Sequence, residues 1–175
     1  LIAQRKFNYG DVLIVPKTSN VRSRSNVELN TTYSFKYSTH SWTGVPIMSA
    51  NMDTVTDFNT AKVLGGNNWI SVLPKQFNHV ILEGKGDQEV LSKGDSYALS
   101  CGTSQEDIKS VIATIKAIRE NHGAEAKMVC VDIANGYLQQ LVRACAQLRQ
   151  RLPDIVIMAG NVVTPEGVYE RVHNG

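Results

Sequence analysis

Val131-Asp132-Ile133-Ala134-Asn135-Gly136-Tyr137 is the stretch on which the fold turns. An apolar run over residues 128–131 ends here in an acid, small residues, an amide and a glycine. Leu138, Leu141, Val142, Cys145 and Leu148 then follow at helical spacing. The passage reads as a buried strand, a polar loop and an amphipathic helix, which is the repeating unit of a (β/α)8 TIM barrel. In such barrels the loops after the strands carry the ligand site. Asp132, at a strand's C-terminal end, is a suitable acceptor for ribose hydroxyls because a carboxylate offers two oxygens. A solvated Asp that caps the helix is the plainer alternative, and the neighbouring segments favour the first.

On either side of this stretch, apolar strands are expected at residues 46–50, 69–74, 97–101, 128–131 and 155–159. Each ends in a polar or glycine-containing turn, among them Asn51-Met52-Asp53, Pro74-Lys75, Gly102-Thr103-Ser104 and Gly160-Asn161. Strands alternating with helices at roughly 25–30-residue spacing indicate parallel βαβ units. The helix after the third of these strands is the most legible. Ser104 is its expected N-cap, Glu106 and Asp107 fill its first turn, Ile108, Val111, Ile112, Ile115 and Ile118 make one face, and Gly123 closes it. Thr164-Pro165-Glu166 opens the last helix with a cap and a proline at the first helical position. Residues 76–93 show only weak periodicity.

The first 44 residues depart from the repeat. Residues 11–15 and 27–35 read as strands, separated by a turn and the basic patch Arg22-Ser23-Arg24. Residues 1–44 are therefore expected to be an N-terminal β extension packing on the barrel, since so short a segment buries too little surface to fold alone. Residues 45–175 are expected to be an incomplete barrel that continues beyond this chain. About five strand–helix units are visible where closure needs eight.

Composition bounds the class. Hydrophobic residues make up 42% and charged residues 19%, as in an ordinary globular chain. A net charge of +2 offers no electrostatic case for nucleic acid or a membrane surface, and no apolar run approaches the length of a membrane span. Three cysteines without a CxxC pair fit a reducing, cytoplasmic setting. None of the four histidines has metal-ligand partners at useful spacing.

Several motifs resemble one family. Gly44-Val45-Pro46-Ile47-Met48-Ser49-Ala50-Asn51-Met52-Asp53-Thr54-Val55 resembles the first barrel strand of the IMP dehydrogenase/GMP reductase family. Asp11-Val12-Leu13-Ile14-Val15-Pro16-Lys17 and Arg22-Ser23-Arg24-Ser25 resemble its N-terminal motif, and Ala159-Gly160-Asn161-Val162-Val163-Thr164 its fifth strand and turn. Asp132-Ile133-Ala134-Asn135-Gly136-Tyr137 and Ala50-Asn51-Met52-Asp53 are similar to the reductase branch. The dehydrogenases usually carry Asp-Ser-Ser-Gln-Gly and Ser-Pro-Met-Asp at these places. The 21 residues between Lys75 and Tyr97 leave no room for the regulatory insert common in dehydrogenases.

The resemblance implies reduction of GMP to IMP and ammonia with NADPH, through a covalent thioimidate on a cysteine, in an enzyme that is usually a homotetramer. The family's nucleophile lies in a glycine-rich loop after the sixth strand, and neither that loop nor its threonine partner occurs in these residues. A monovalent cation, which the dehydrogenase branch holds on carbonyls of that loop, would also fall outside them, so no metal ligand is assigned. Cys130 and Cys145 read as packing, and Cys101 as a candidate pocket wall without a supporting motif. The resemblance places Ser23, Arg24, Lys75, Asp132, Ile133 and Ala134 on the dinucleotide, with Lys75 also supporting the chemistry. It places Asn51, Met52 and Asn161 on the substrate. Plainer roles stand beside these: a solvated basic turn for Ser23 and Arg24, a snorkelling amine for Lys75, core filling for Met52, and helix capping for Asn161. Two other readings remain open, an IMP dehydrogenase without its insert and a truncated, non-catalytic nucleotide-binding protein.

Overall fold

The computed structural model describes residues 7–173. Residues 1–6 of the expected extension, and Asn174 and Gly175 at the end of the expected barrel segment, lie outside them. In chain order the elements are β1 (Thr31–Ser34), β2 (Ser41–Gly44), β3 (Met48–Ser49), α1 (Phe58–Gly66), β4 (Ile70–Leu73), α2 (Phe77–Leu82), α3 (Gln88–Leu91), β5 (Tyr97–Cys101), α4 (Gln105–His122), β6 (Met128–Asp132), α5 (Gln139–Arg151), β7 (Val156–Gly160) and α6 (Pro165–His173). Strands β3 to β7 form one parallel sheet in sequence order. This is five units of a (β/α)8 barrel, with the helices on the outer face. No helix among the described residues is long and apolar enough to cross a membrane.

β4 and β5 are buried along their whole length and largely apolar, with Ser71 and Ser100 as buried polar residues, because both of their faces are covered. Side chains alternate across the sheet. Leu73, Tyr97, Leu99, Val129 and Val131 point outward into a core shared with Ile108, Val111, Ile115 and Ile118 of α4 and with Leu141, Ala144 and Leu148 of α5. Ile70, Val72, Ala98, Met128 and Val156 point inward and pack around Trp42 from β2. Leu99, Val129, Leu141 and Leu148 are fully buried, and each such side chain contributes roughly 1.5–3 kcal/mol of hydrophobic stabilisation.

Local signals set the helix ends. Ser104 Oγ accepts from Asp107 N at 3.0 Å at the start of α4, and Gly123, at φ 61°, ends it in the left-handed region. Thr164 Oγ1 accepts from Gly167 N at 3.1 Å and caps α6. The weakly periodic stretch 76–93 resolves into two helices of six and four residues, α2 and α3. Helices that short present too few turns for a helical period to show. Leu138, counted on the apolar face of α5, instead precedes the helix as its N-cap residue and is 45% exposed.

The expectation for the N-terminal strands needs correction. Residues 11–15 form no strand. A 3₁₀ turn at Tyr9–Asp11 leads into unpaired backbone, and Leu13 and Ile14 are almost fully exposed. β-propensity creates a strand only where a neighbouring strand takes up the backbone N–H and C=O groups. Of residues 27–35 only Thr31–Ser34 is a strand, and its antiparallel partner Ser41–Gly44 had not been expected. The first barrel strand also shrinks, from 46–50 to Met48–Ser49, since it pairs only with β4.

The hairpin closes the N-terminal end of the barrel. Phe35 joins Trp42 on the inner cluster. Asp154, just before β7, accepts from the Thr39 hydroxyl at 2.6 Å and lies 3.4 Å from His40 Nε2.

Candidate functional site

The C-terminal strand ends converge on a pocket of about 400 Å³, lined by Asn51, Met52, Asp53, Lys75, Gln76, Ser100, Cys101, Gly102 and Asp132. Its size lies within the ordinary range for small-molecule sites. The parallel sheet dictates this convergence: every loop that follows a strand emerges at the same end.

Asp132 is the last residue of β6, paired in register with Gly160 of β7. The inward row on β6 is Met128, Cys130 and Asp132, so the carboxylate rises over the mouth of the pocket, directly above packed side chains. Asn51, from the loop after β3, donates its side-chain amide to Asp132 Oδ2 at 2.9 Å. Oδ1 takes no hydrogen bond from the described residues and remains available.

Lys75 follows β4 and is 65% exposed. Its ammonium lies 3.8 Å from Asp107 Oδ1 in the first turn of α4, while Asp107 Oδ2 accepts from the Ser104 hydroxyl at 2.8 Å. A Cβ on Gly102 would stand 2.5 Å from that carboxylate, so glycine lets Asp107 reach over the strand end toward Lys75. In the sequence Asp107 reads only as a first-turn acid. Its approach to Lys75 becomes visible only once β4 and β5 lie side by side.

The three thiols are poor nucleophiles here. Burial pushes Cys101 up to about 12, with the Asp107 carboxylate adding to it. Burial, aided by Asp132, raises Cys130 to about 11. Cys145 is also raised by burial. Cys101 lines the pocket yet is 2% exposed and belongs to the outer core.

Behind Asp132 the β6 and β7 loops are tied together. Ile133 N donates to Gly160 O at 3.0 Å, Asn161 N to Ile133 O at 2.7 Å, and Gly136 N to Asn161 O at 2.9 Å. A Cβ on Gly136 would stand 2.3 Å from the Asn161 carbonyl oxygen, so this approach requires glycine. The Tyr137 hydroxyl accepts from Val163 N and Thr164 N, each at 2.9 Å, and bonds the Thr164 hydroxyl at 2.9 Å. The Thr164 hydroxyl and then the Val163 amide hold this phenol below its usual value. Arg171 Nη2 donates to Gly136 O at 2.6 Å and completes the tie.

Among the sequence-predicted residues, the structure brings Asn51, Met52, Lys75 and Asp132 to one pocket. Ile133 and Ala134 lie just beyond it. The Ile133 side chain packs on the outer core and its backbone is spent on β7. Asn161 is exposed on the adjoining loop, and the cap of α6 is Thr164. Ser23 and Arg24 do not line the pocket. They sit in the exposed segment before β1, where Ser23 Oγ accepts from Ser25 N at 3.3 Å. Asp53, Gln76 and Ser100 line the pocket without having been singled out; the first two adjoin residues that had been, and Ser100 reads in sequence as mere strand.

A second cavity of about 410 Å³ lies beside β7, between α5, α6 and residues 35–38. Arg149 Nη1 donates to Pro153 O and Ile155 O, while its Nε is buried without a partner among the described residues, and Arg171 donates to Gly136 O. The pocket at the C-terminal strand ends, where the loops after the strands converge, is the candidate site. Among the described residues no group of three or more His, Cys, Asp or Glu could hold a metal ion.

Comparison with known proteins agrees with this architecture. The sequence profile of the IMP dehydrogenase / GMP reductase domain matches residues 6–175. A GMP reductase of Yersinia enterocolitica is 39% identical over 179 residues, covering 97% of this chain and 48% of that protein. GMP reductase 2 of Homo sapiens is 37% identical over 170 residues, covering 97% and 47%. The crystal structure of inosine 5' monophosphate dehydrogenase from Legionella pneumophila superposes with a TM-score of 0.69 at 28% identity, covering 95% of this chain and 47% of that one. The chain spans about half the length of the curated relatives it matches.

Proposed function

The chain belongs to the IMP dehydrogenase/GMP reductase family, and from that premise we propose that the complete protein reduces GMP to IMP and ammonia with NADPH. In this reading the present residues supply the dinucleotide side of the active site. The observation that supports it is the strand-end pocket lined by both Asp132, with an available carboxylate oxygen, and Lys75.

These residues fit a nicotinamide dinucleotide. Asp132 Oδ1 can accept from a ribose hydroxyl or a carboxamide N–H, and Lys75 can donate to the same end. Ser23 and Arg24 are assigned to the adenosine end, where a guanidinium pairs well with phosphate. Met52 offers an apolar face to the purine, and Asn161 a polar edge. When bound, the dinucleotide supplies the hydride.

Replacing the purine 2-amino group by hydrogen consumes one hydride and one proton and releases ammonia. The nucleophile that would form the thioimidate is a cysteine outside these residues, since all three thiols here are held protonated at neutral pH. In this reading Lys75, whose ammonium lies 3.8 Å from Asp107 Oδ1, gives a proton to the departing amine. We assign residues 1–44 to an extension and 45–175 to the barrel, within an enzyme that assembles as a homotetramer.

The alternative is oxidation of IMP with NAD by a dehydrogenase lacking its regulatory insert, a reading favoured by the structural likeness to a dehydrogenase. Incubating the complete protein with GMP plus NADPH, and separately with IMP plus NAD, separates the two. Nicotinamide oxidation dependent on GMP is the expected result. Nicotinamide reduction dependent on IMP, with none of the former, would overturn the proposal.

A further inference from the structure

We propose that Asn51 is a positioning residue for Asp132, holding its carboxylate so that one oxygen faces the dinucleotide. The inference rests on the reading of Asp132 given above, but it assigns Asn51 a different role from that of lining the purine pocket. Asn51 follows β3 and Asp132 ends β6, three strands away in the sheet, yet the Asn51 amide reaches Oδ2 at 2.9 Å.

Asp132 stands exposed at a strand end, where an unheld carboxylate would turn among rotamers. Ordering it at the moment of binding would weaken the ligand's hold by the entropy lost. An amide donor fixes the group beforehand and leaves its charge uncancelled. The charged and titratable groups around it do not take over this task. Lys75, beyond β4, is turned to Asp107. Asp53, on the Asn51 loop, carries the same sign as Asp132. Cys101, buried on β5, and Cys130, half-buried on β6, are thiols held protonated. Among the described residues the Asn51 amide is the group that donates to this carboxylate.

The test uses the full-length enzyme, with the dissociation constant for NADPH and the KM for GMP measured across about pH 5 to 8. Asn51→Ala should weaken NADPH on the order of tenfold at every pH, and combining it with Asp132→Ala should add little to the loss from Asp132→Ala alone. Asn51→Asp keeps the shape but sets two carboxylates in contact, which raises the pKa of the pair. At the acidic end the shared proton lets the introduced carboxyl group donate as the amide did, so affinity should approach that of the unaltered protein. It should then fall as the pH rises and the proton leaves. A fold that was merely loosened would not produce this pH profile.

If Asp132→Ala loses affinity while Asn51→Ala and Asn51→Asp keep it, the positioning role alone is overturned. The same holds if the Asn51 variants change only the KM for GMP. If Asp132→Ala binds NADPH as tightly as the unaltered protein, the reading of the pocket fails and the proposal fails with it.

Discussion

The two ends of the same five parallel strands are built on opposite terms. At the N-terminal end, Trp42 is 7% exposed and fills the inner face against Ile70, Val72, Ala98, Met128 and Val156. Asp154 holds the hairpin across that end through Thr39 and His40. At the C-terminal end the inward row finishes in Asp132, Met52 is 55% exposed, and Lys75 extends into solvent. One end has exchanged its surface for packing. The other keeps polar groups that packing would have consumed, and their arrangement depends on a few hydrogen bonds between loops. Separating stability from binding in this way lets loops vary without unfolding the sheet.

The separation predicts that lesions at the two ends are felt in different measurements. Trp42→Ala should have the largest effect, lowering the stability of the full-length protein by about 3–5 kcal/mol in chemical denaturation. Affinity for NADPH in the surviving folded protein should stay within about twofold, since additive behaviour is expected for distant sites. A loss of affinity as large as the loss of stability would mean that the two ends are not independent.

At the open end the order reverses. Asp132→Ala should weaken NADPH use by about 1–3 kcal/mol, or roughly 5- to 150-fold, with little change in the denaturation midpoint. Lys75→Ala should lower kcat and kcat/KM together if the ammonium acts in the transition state. Steady-state kinetics with GMP and NADPH varied separately would distinguish these effects, and unchanged parameters in both variants would remove both residues from the site.

Tyr137→Phe should give a smaller change of the same kind. It deprives Val163 N and Thr164 N of their acceptor and loosens the loops behind Asp132. A several-fold rise in the KM for NADPH is expected, with thermal stability nearly kept. A large fall in melting temperature would instead make the tie a part of the stabilising framework.

The smallest expected effect is at the closed end. Hydrogen bonds from Thr39, then the nearby His40, hold Asp154 below the usual carboxylate value. A depressed carboxylate takes up its proton later in the folded than in the unfolded protein. Its contribution is therefore complete above the unfolded value of about 3.9 and is lost as the pH falls through the lower folded value. Asp154→Asn should be less stable than the unaltered protein near neutrality, and the difference should narrow on acidification below about pH 4. A difference that stayed constant with pH would show that the charge plays no part.

The repeat of apolar runs and polar turns specified the parallel architecture, because a strand covered on both faces must be apolar throughout and a helix on the outer face must carry a stripe. The caps Ser104, Gly123 and Thr164 were legible for a related reason: the atoms that end a helix belong to residues within a turn of it. Asp132 and Lys75 were legible as strand-end residues once the strands were recognised. Residues 11–15 read as a strand and form none, because whether a β-prone segment becomes a strand depends on a partner it does not encode locally. The same limit applies to Ser41–Gly44, to the Lys75–Asp107 pair, to the Tyr137 tie and to the reach of Asn51 to Asp132. Each joins residues distant in sequence across neighbouring or more remote strands. Which loops meet at one end of the sheet follows from the order of residues, since parallel strands leave no other arrangement. Which side chains in those loops touch does not, because contacts of roughly 3–4 Å are set by sheet curvature and loop path rather than by the period of the chain.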